Sequence, residues 1–298
     1  MTGALSPSRA ADFKQCPLKY RFRAIDGLDE PPSPAAARGT LVHAVLEELF
    51  ELPAPERTPE AAQALVPGRW AAMVQERPEL AEMLAADPER DEESWYAEAS
   101  RLVGRWFELE DPTRLEPAER ELRVEADVDG LLLRGIVDRL DVAPTGEVRV
   151  VDYKTGRSPS ERFESQALFQ MKFYALVLWR TTGRVPDLLQ LVYLADRQVV
   201  RYQPDEHDLR GLERTVRAIW TAIEQASATG DFRPRPSRLC AWCDFKPLCP
   251  AFGGTPPTMP VPEVPAVPTG TPTVGVPDVT VAVDDPPALA GETVRSAG

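Results

Sequence analysis

Residues 121–154 read ELRVEADVDGLLLRGIVDRLDVAPTGEVRVVDYK, and this run decides the fold. Residues 121–128 alternate apolar and polar side chains, as a half-buried strand does, and Asp129-Gly130 is a two-residue hairpin signal. Residues 131–142 return as a second strand, Pro144-Thr145-Gly146 turns the chain again, and 147–153 makes a third. The three form an antiparallel meander.

The same run carries the first chemistry. Asp138 follows the apolar Gly135-Ile136-Val137, while Asp152 and Lys154 close the apolar Val150-Val151. One residue separates Asp152 from Lys154, so both point to one side of the strand. A meander sets Asp138 beside Asp152, and two such carboxylates repel unless a cation lies between them. Mg²⁺ is held in this way, by one or two carboxylates together with waters and phosphate oxygens. A lysine one step along the pleat then holds an attacking water or stabilises charge growing on a phosphate. Taken alone, Asp-x-Lys at a strand end is equally the pattern of a solvated ion pair, and Asp138 beside Arg139 that of a surface pair.

Working outward, Ser6 and Pro7 read as the cap and first residue of a helix running to about Gln15. A second helix spans about 35–52, with Leu41, Val45, Leu46 and Leu49 on one stripe and His43 among them. Residues 58–110 read as helical, broken at Pro78 and Pro88 and ended before Pro112. Beyond the meander come a long amphipathic helix at 163–181, strands at 187–194 and 198–203, and a helix at 205–228. The expected fold class is α/β: a mixed central β-sheet flanked by helices, with an N-terminal helical part.

Ten of the 31 prolines fall in residues 253–298, which lack any aromatic residue. Such a segment cannot bury enough apolar surface to offset its ordering entropy. The expected organisation is therefore a folded domain over 1–252 and a disordered Pro-rich tail over 253–298. The whole chain of 298 residues carries a net charge of −13, which excludes a protein coated in basic surface for duplex binding. No apolar run is long enough for a membrane helix, and the N-terminus has no apolar signal core, so a cytoplasmic protein is expected. No Walker A loop is present, which excludes an encoded ATPase or helicase.

Cys240, Cys243 and Cys249 give C-x₂-C-x₅-C, and Cys16 stands far upstream. Four thiolates in this arrangement can hold Zn²⁺ or an iron–sulfur cluster, and spacing does not choose between them. If the four share one site, two basic segments meet there. One carries Lys14, Lys19, Arg21 and Arg23, the other Arg235 and Arg238. They would make a local phosphate-binding surface on an acidic body. The interleaved Phe13, Tyr20, Phe22, Trp242 and Phe245 either stack unpaired bases or pack around the cysteines. His207 has no partner residues near it and reads as surface.

The segments GIVDRLDV (135–142), VVDYKTG (150–156) and QMKFYALVL (170–178), in this order, resemble the PD-(D/E)xK nuclease superfamily. More narrowly they are similar to the RecB-family exonucleases and the Cas4- and AddB-type nuclease domains. The likeness spans most of residues 1–252. The family's helix histidine matches His43 in RGTLVHAVLE (38–47), and its G-x-x-D aspartate matches Asp138. Its acidic-x-Lys pair matches Asp152 and Lys154, and its Gln-x-x-x-Tyr pair matches Gln170 and Tyr174, one helical turn apart.

The resemblance implies a restriction-endonuclease-like core with Mg²⁺ or Mn²⁺ on His43, Asp138, Asp152 and the Tyr153 carbonyl. It makes Lys154 the catalytic lysine, supported by Gln170 and Tyr174, and leaves Glu121 a supporting position behind the ligands. It turns the cysteine pattern toward a [4Fe–4S] staple on Cys16, Cys240, Cys243 and Cys249, with Zn²⁺ the alternative. The implied function is a metal-dependent DNA exonuclease acting on single strands or ends in repair or recombination, with a helicase or repair protein as partner. The alternatives are a Cas4-type nuclease of CRISPR adaptation and a catalytically inactive iron–sulfur DNA-binding scaffold.

Overall fold

In the computed structural model, which describes residues 4–88, 91–159 and 161–260, three helices begin by one device. A Ser or Thr side chain caps the helix and a proline takes its first position, where the missing N–H costs nothing. Ser6 accepts from the Arg9 N–H at 3.3 Å and starts α1 (Pro7–Gln15). Ser33 does the same for α3 (Pro34–Leu49), and Thr58 for α4 (Pro59–Glu76), each at 3.2 Å. Between the first two lies α2 (Pro17–Ala24), and α5 (Glu79–Ala85) and α6 (Glu92–Phe107) follow α4.

The meander forms as expected. β2 (Glu119–Val128) pairs antiparallel with β3 (Leu131–Val142), and β3 with β4 (Val148–Lys154). Asp129 (φ 52°) and Gly130 (φ 84°) are both left-handed, the geometry of a two-residue hairpin whose twist matches its strands. From β4 the chain crosses through α7 (Glu161–Thr182) to β5 (Leu188–Tyr193), which lies parallel to β4. β6 (Gln198–Tyr202) pairs antiparallel with β5, and α8 (Glu206–Thr229) ends at Gly230 in the left-handed conformation. The expected strands and last two helices agree with these bounds to within two residues at each end. A two-residue strand, β1 (Ala4–Leu5), adds parallel to β3 at Leu132 and Leu133; it is too short to carry a pattern in the sequence.

The sheet is thus mixed, and both faces are covered. Period-2 alternation divides its side chains. Val150, Leu189 and Leu191 join a core with α1, α2, α7 and α8, while Val151, Tyr153 and Val192 join a second core with α3, α4 and α6. Among the described residues no helix is long and apolar enough to cross a membrane.

One interval of the sheet decides where the site sits. β3 pairs with β2 along its length, but on its other side β1 covers only Leu132–Leu133 and β4 only Arg139–Val142. Residues 134–138 therefore lack a strand on that side, and the sheet splays open there.

The tail expected from residue 253 lies, from 261 onward, outside the described residues. Residues 253–260 are held to the domain: Arg21 donates to the Pro257 carbonyl and Met259 packs against the first core.

Candidate active site

Where β3 and β4 part, the Asp138 side chain replaces the missing ladder bond. Its Oδ2 accepts the Tyr153 N–H at 2.7 Å. Asp152, one residue back on β4, is 1% exposed, and Lys154 Nζ stands 2.7 Å from its Oδ2. That contact is an ion pair bent too far to be a hydrogen bond, so Oδ2 keeps a lone pair unclaimed. Gln170 on α7 ties the group together. Its Oε1 accepts from Lys154 Nζ at 3.0 Å, while its Nε2 donates to Asp152 Oδ1 at 2.9 Å and to the Tyr174 hydroxyl at 2.8 Å. The flipped amide would set N–H against ammonium and oxygen against carboxylate, so this orientation is the one the charges allow. Burial pushes the Tyr174 phenol far above its usual range, which keeps it neutral.

A second cluster lies beside the first. His43 on α3, Glu121 on β2 and Asp138 on β3 bring one ligand atom each within 4.8 Å of one another. His43 Nδ1 is 3.5 Å from Asp138 Oδ2 and 4.0 Å from Glu121 Oε1, and its Nε2 is 2.9 Å from the Tyr153 carbonyl. Burial, with the Asp152 charge adding to it, pushes the Asp138 carboxyl well above the usual carboxylate range. Burial and then Glu47 and Asp152 raise Glu121. Burial lowers His43, against the pull of Asp152. Carboxylates raised in pKa by burial and by one another, beside a neutral imidazole, form a donor set that a cation would stabilise. The donor set, carboxylates with an imidazole and a carbonyl, suits Mg²⁺ or Mn²⁺.

The structure groups Glu121 with His43 and Asp138, rather than behind them, in the cluster that could hold a metal ion. The Glu121 φ of 44° is strained for a residue with a Cβ, and such strain concentrates at functional positions. The sequence did contain the signal. From the Asp129-Gly130 turn, Glu121 lies seven residues back from Val128, and Asp138 seven residues forward from Leu131. The tight turn fixes that register, so the two stand opposite each other.

Tyr153 is set from below. Arg139, 1% exposed, is not a surface partner of Asp138. Its guanidinium donates to Glu110 at 2.8 Å from both Nη atoms, to Asp141 at 3.0 Å, and to the Tyr153 hydroxyl. Arg149 adds a second cation to Asp141 at 2.8 Å. Two arginines against two carboxylates leave the network neutral, and the Arg139 donors are all used. Although burial alone would raise Glu110, the bonds and charge of Arg139 hold it below its ordinary range.

The four cysteines line one cavity with Lys19, Phe22, Arg235 and Phe245. The Arg235 N–H points at Cys16 Sγ (3.4 Å) and the Ser237 N–H at Cys240 Sγ (3.3 Å). Burial raises the Cys243 thiol, and Cys16 and Cys240 are close enough to add to the effect. Among the described residues no three cysteine sulfurs come within 4.8 Å of one another.

The basic residues divide. Arg21 is buried against Asp26 at 3.1 Å and leaves the expected phosphate-binding set, because its charge is spent inside. Arg23 pairs with Asp12 and Glu30, and Lys19 with Asp12 at 3.3 Å. Arg235 reaches the Lys14 carbonyl, which joins the two basic segments. Lys14 lies over the Phe169 ring, and both Lys14 and Arg238 are exposed. Of the interleaved aromatics, Tyr20, Phe22 and Phe245 are core; Trp242 is 77% exposed.

The chain belongs to the PD-(D/E)XK nuclease superfamily, whose family model matches residues 4–250. It is similar to the Gene 69 protein of Mycobacterium phage D29, 28% identical over 267 residues that cover 83% of this chain and 96% of that one. The Gene 69 protein of Mycobacterium phage L5 is 26% identical over 285 residues, with the same coverage of 83% and 96%. The structure of a protein from Eubacterium rectale assigned as an exonuclease superposes with a TM-score of 0.55 over 81% of this chain and 87% of that one. At 14% identity it attests the fold. The mixed sheet flanked by helices fits the restriction-endonuclease-like fold of this superfamily, and the chain is a nuclease by family.

One glycine carries the geometry. A Cβ on Gly135 would lie 2.5 Å from a Tyr174 ring carbon. Gly135→Ala is expected to displace the ring, loosen Gln170 from Asp152 and Lys154, and lower the nuclease rate by about 10²-fold, the usual cost of a small misplacement. Initial rates beside circular dichroism check this; a full rate in a folded variant removes Tyr174 from the positioning of Gln170.

Proposed function

We propose that the chain is a divalent-metal-dependent deoxyribonuclease, an exonuclease on single strands or DNA ends, of the RecB, Cas4 and AddB type. One observation carries the reading: a lysine anchored by an amide, and a cluster of acids with a histidine, meet where residues 134–138 of β3 keep β2 on one side and have no strand on the other among the described residues. His43, Glu121, Asp138, Asp152 and the Tyr153 carbonyl would hold the metal. When bound, the ion polarises a phosphoryl oxygen and lowers the pKa of a water. Lys154 holds that water in line and offers its charge to the phosphate as charge develops. Gln170 fixes the Lys154 ammonium, and Tyr174 fixes Gln170. Unwinding would come from a helicase partner, in repair or recombination.

The cysteine cavity supports a [4Fe–4S] staple. Lys14, Arg235, Arg238 and Trp242 would lie along the DNA beside it.

The test is purified protein on labelled linear DNA, single- and double-stranded, with Mg²⁺ or Mn²⁺. End-dependent loss of label that EDTA stops is the expected result; no cleavage under any metal overturns the reading. The same protein prepared anaerobically is expected to be brown and to contain iron and sulfide, and to lose both in Cys243→Ser. Zinc alone overturns the cluster.

A further inference from the structure

The splayed interval of β3 opens into a groove that the reaction does not account for. Its floor is Gly135 and Ile136, one wall is the start of α1, and the other holds Gln170 and Tyr174. It therefore runs up to the lysine's own supports. Arg123 of β2 and Arg134 of β3 reach into it. The ladder sets Arg123 opposite Ile136, and Glu125 opposite Arg134.

Two features of these residues are unusual for this protein. Neither arginine makes a hydrogen bond or an ion pair among the described residues, although most arginines of this acidic chain are matched to carboxylates. Ile136 is 43% exposed in mid-strand, where burial is the rule. Glu125 is the one acid in the groove and leaves Arg134 unpaired, so the lining keeps a net positive charge. Guanidinium groups recognise phosphate oxygens in bidentate fashion, and an apolar side chain between two of them meets the sugar and base that separate successive phosphates.

We infer that this groove holds the DNA backbone beyond the scissile phosphate, with Arg123 and Arg134 on successive phosphates and Ile136 between them. The inference deepens the nuclease reading and rests on it. The strand would cross from the metal side, where Arg157 is exposed beside Lys154, to the Arg123–Arg134 side. Arg123 and Arg134 are positioning residues; they touch no reacting atom.

The experiment is anisotropy of a labelled single strand in EDTA, so that binding is read without cleavage, for wild type, Arg123→Gln/Arg134→Gln, and the remote exposed control Arg114→Gln. Each phosphate contact on a single strand contributes about 0.7 to the slope of log K against log salt. The double variant is expected to lose about 1.4 of that slope and to bind at least tenfold more weakly. With Mn²⁺ present its KM should rise while kcat holds. The control should match wild type. Wild-type affinity and slope in the folded double variant overturn the groove and leave the nuclease reading standing. Equal losses in the control also overturn it, since any surface charge would then serve. A wild type that neither binds nor cuts DNA takes both readings down.

Discussion

Lys154→Met is expected to fold, to bind Mn²⁺, and to degrade DNA about 10²–10³-fold more slowly than wild type, the usual loss when a positioned charge is removed from a developing one. The variant keeps the stem and deletes the ammonium that stands 2.7 Å from Asp152 and 3.0 Å from Gln170. Asp152 loses its cation, but a bound metal supplies another, so the thermal shift produced by Mn²⁺ should persist or grow. Initial rates at saturating DNA, read beside that shift, separate chemistry from metal binding. An undiminished rate would remove Lys154 from the reaction. A lost thermal shift would show that it holds the site together instead.

Arg139→Met should have the opposite signature, a large loss of stability with no direct part in the chemistry. The guanidinium is 1% exposed and neutralises Glu110, itself 8% exposed. Removing one partner of a buried pair costs about 3–5 kcal/mol, or about 10 °C in Tm for a domain of this size. The pH dependence has a definite sign. In wild type Glu110 is held below its ordinary value, so its contribution is present at neutral pH and lost as pH falls through the folded value. In the variant burial still raises Glu110, and the Arg139 bonds and charge no longer oppose it. The Trp106 hydrogen bond and the Arg149 charge remain, so Glu110 titrates above its wild-type value and its charged form is less well compensated. The gap between the two proteins should therefore be widest near neutrality and narrow toward mildly acidic pH, as the variant's Glu110 takes up its proton before the wild type's does. Urea unfolding at neutral and mildly acidic pH checks this; a constant gap would mean that the loss is one of packing.

The meander was legible because a two-residue turn and strict alternation admit one register, and that register also placed Asp138 beside the acidic-x-Lys. The same register held Glu121 opposite Asp138, but alternation is blind to a backbone that turns left-handed at one residue. Arg139 was unreadable for a different reason. Its partner Glu110 comes from 29 positions upstream, beyond any local spacing. The charges of the N-terminal helices were misjudged in kind. Counting cations gives no sign of Asp12 and Asp26 folding back to neutralise Lys19, Arg23 and Arg21. The aromatics between them alternate with basic residues as a base-stacking surface would, yet α2 turns Tyr20 and Phe22 inward. The groove of Arg123 and Arg134 was invisible because it exists only where a strand is missing.

The cysteine cavity joins segments 219 positions apart, and this bears on how the protein is made. α1 and α2 leave the ribosome well before α7, α8 and the cysteine turns that they pack against. For most of synthesis Leu18, Tyr20 and Phe22 have no core to join. Contacts of such long separation close slowly, and chains waiting for them are prone to aggregate. Any ligand bridging Cys16 to the C-terminal cysteines can thus be completed only after Cys249 has emerged, and its presence reports that the two distant segments have met.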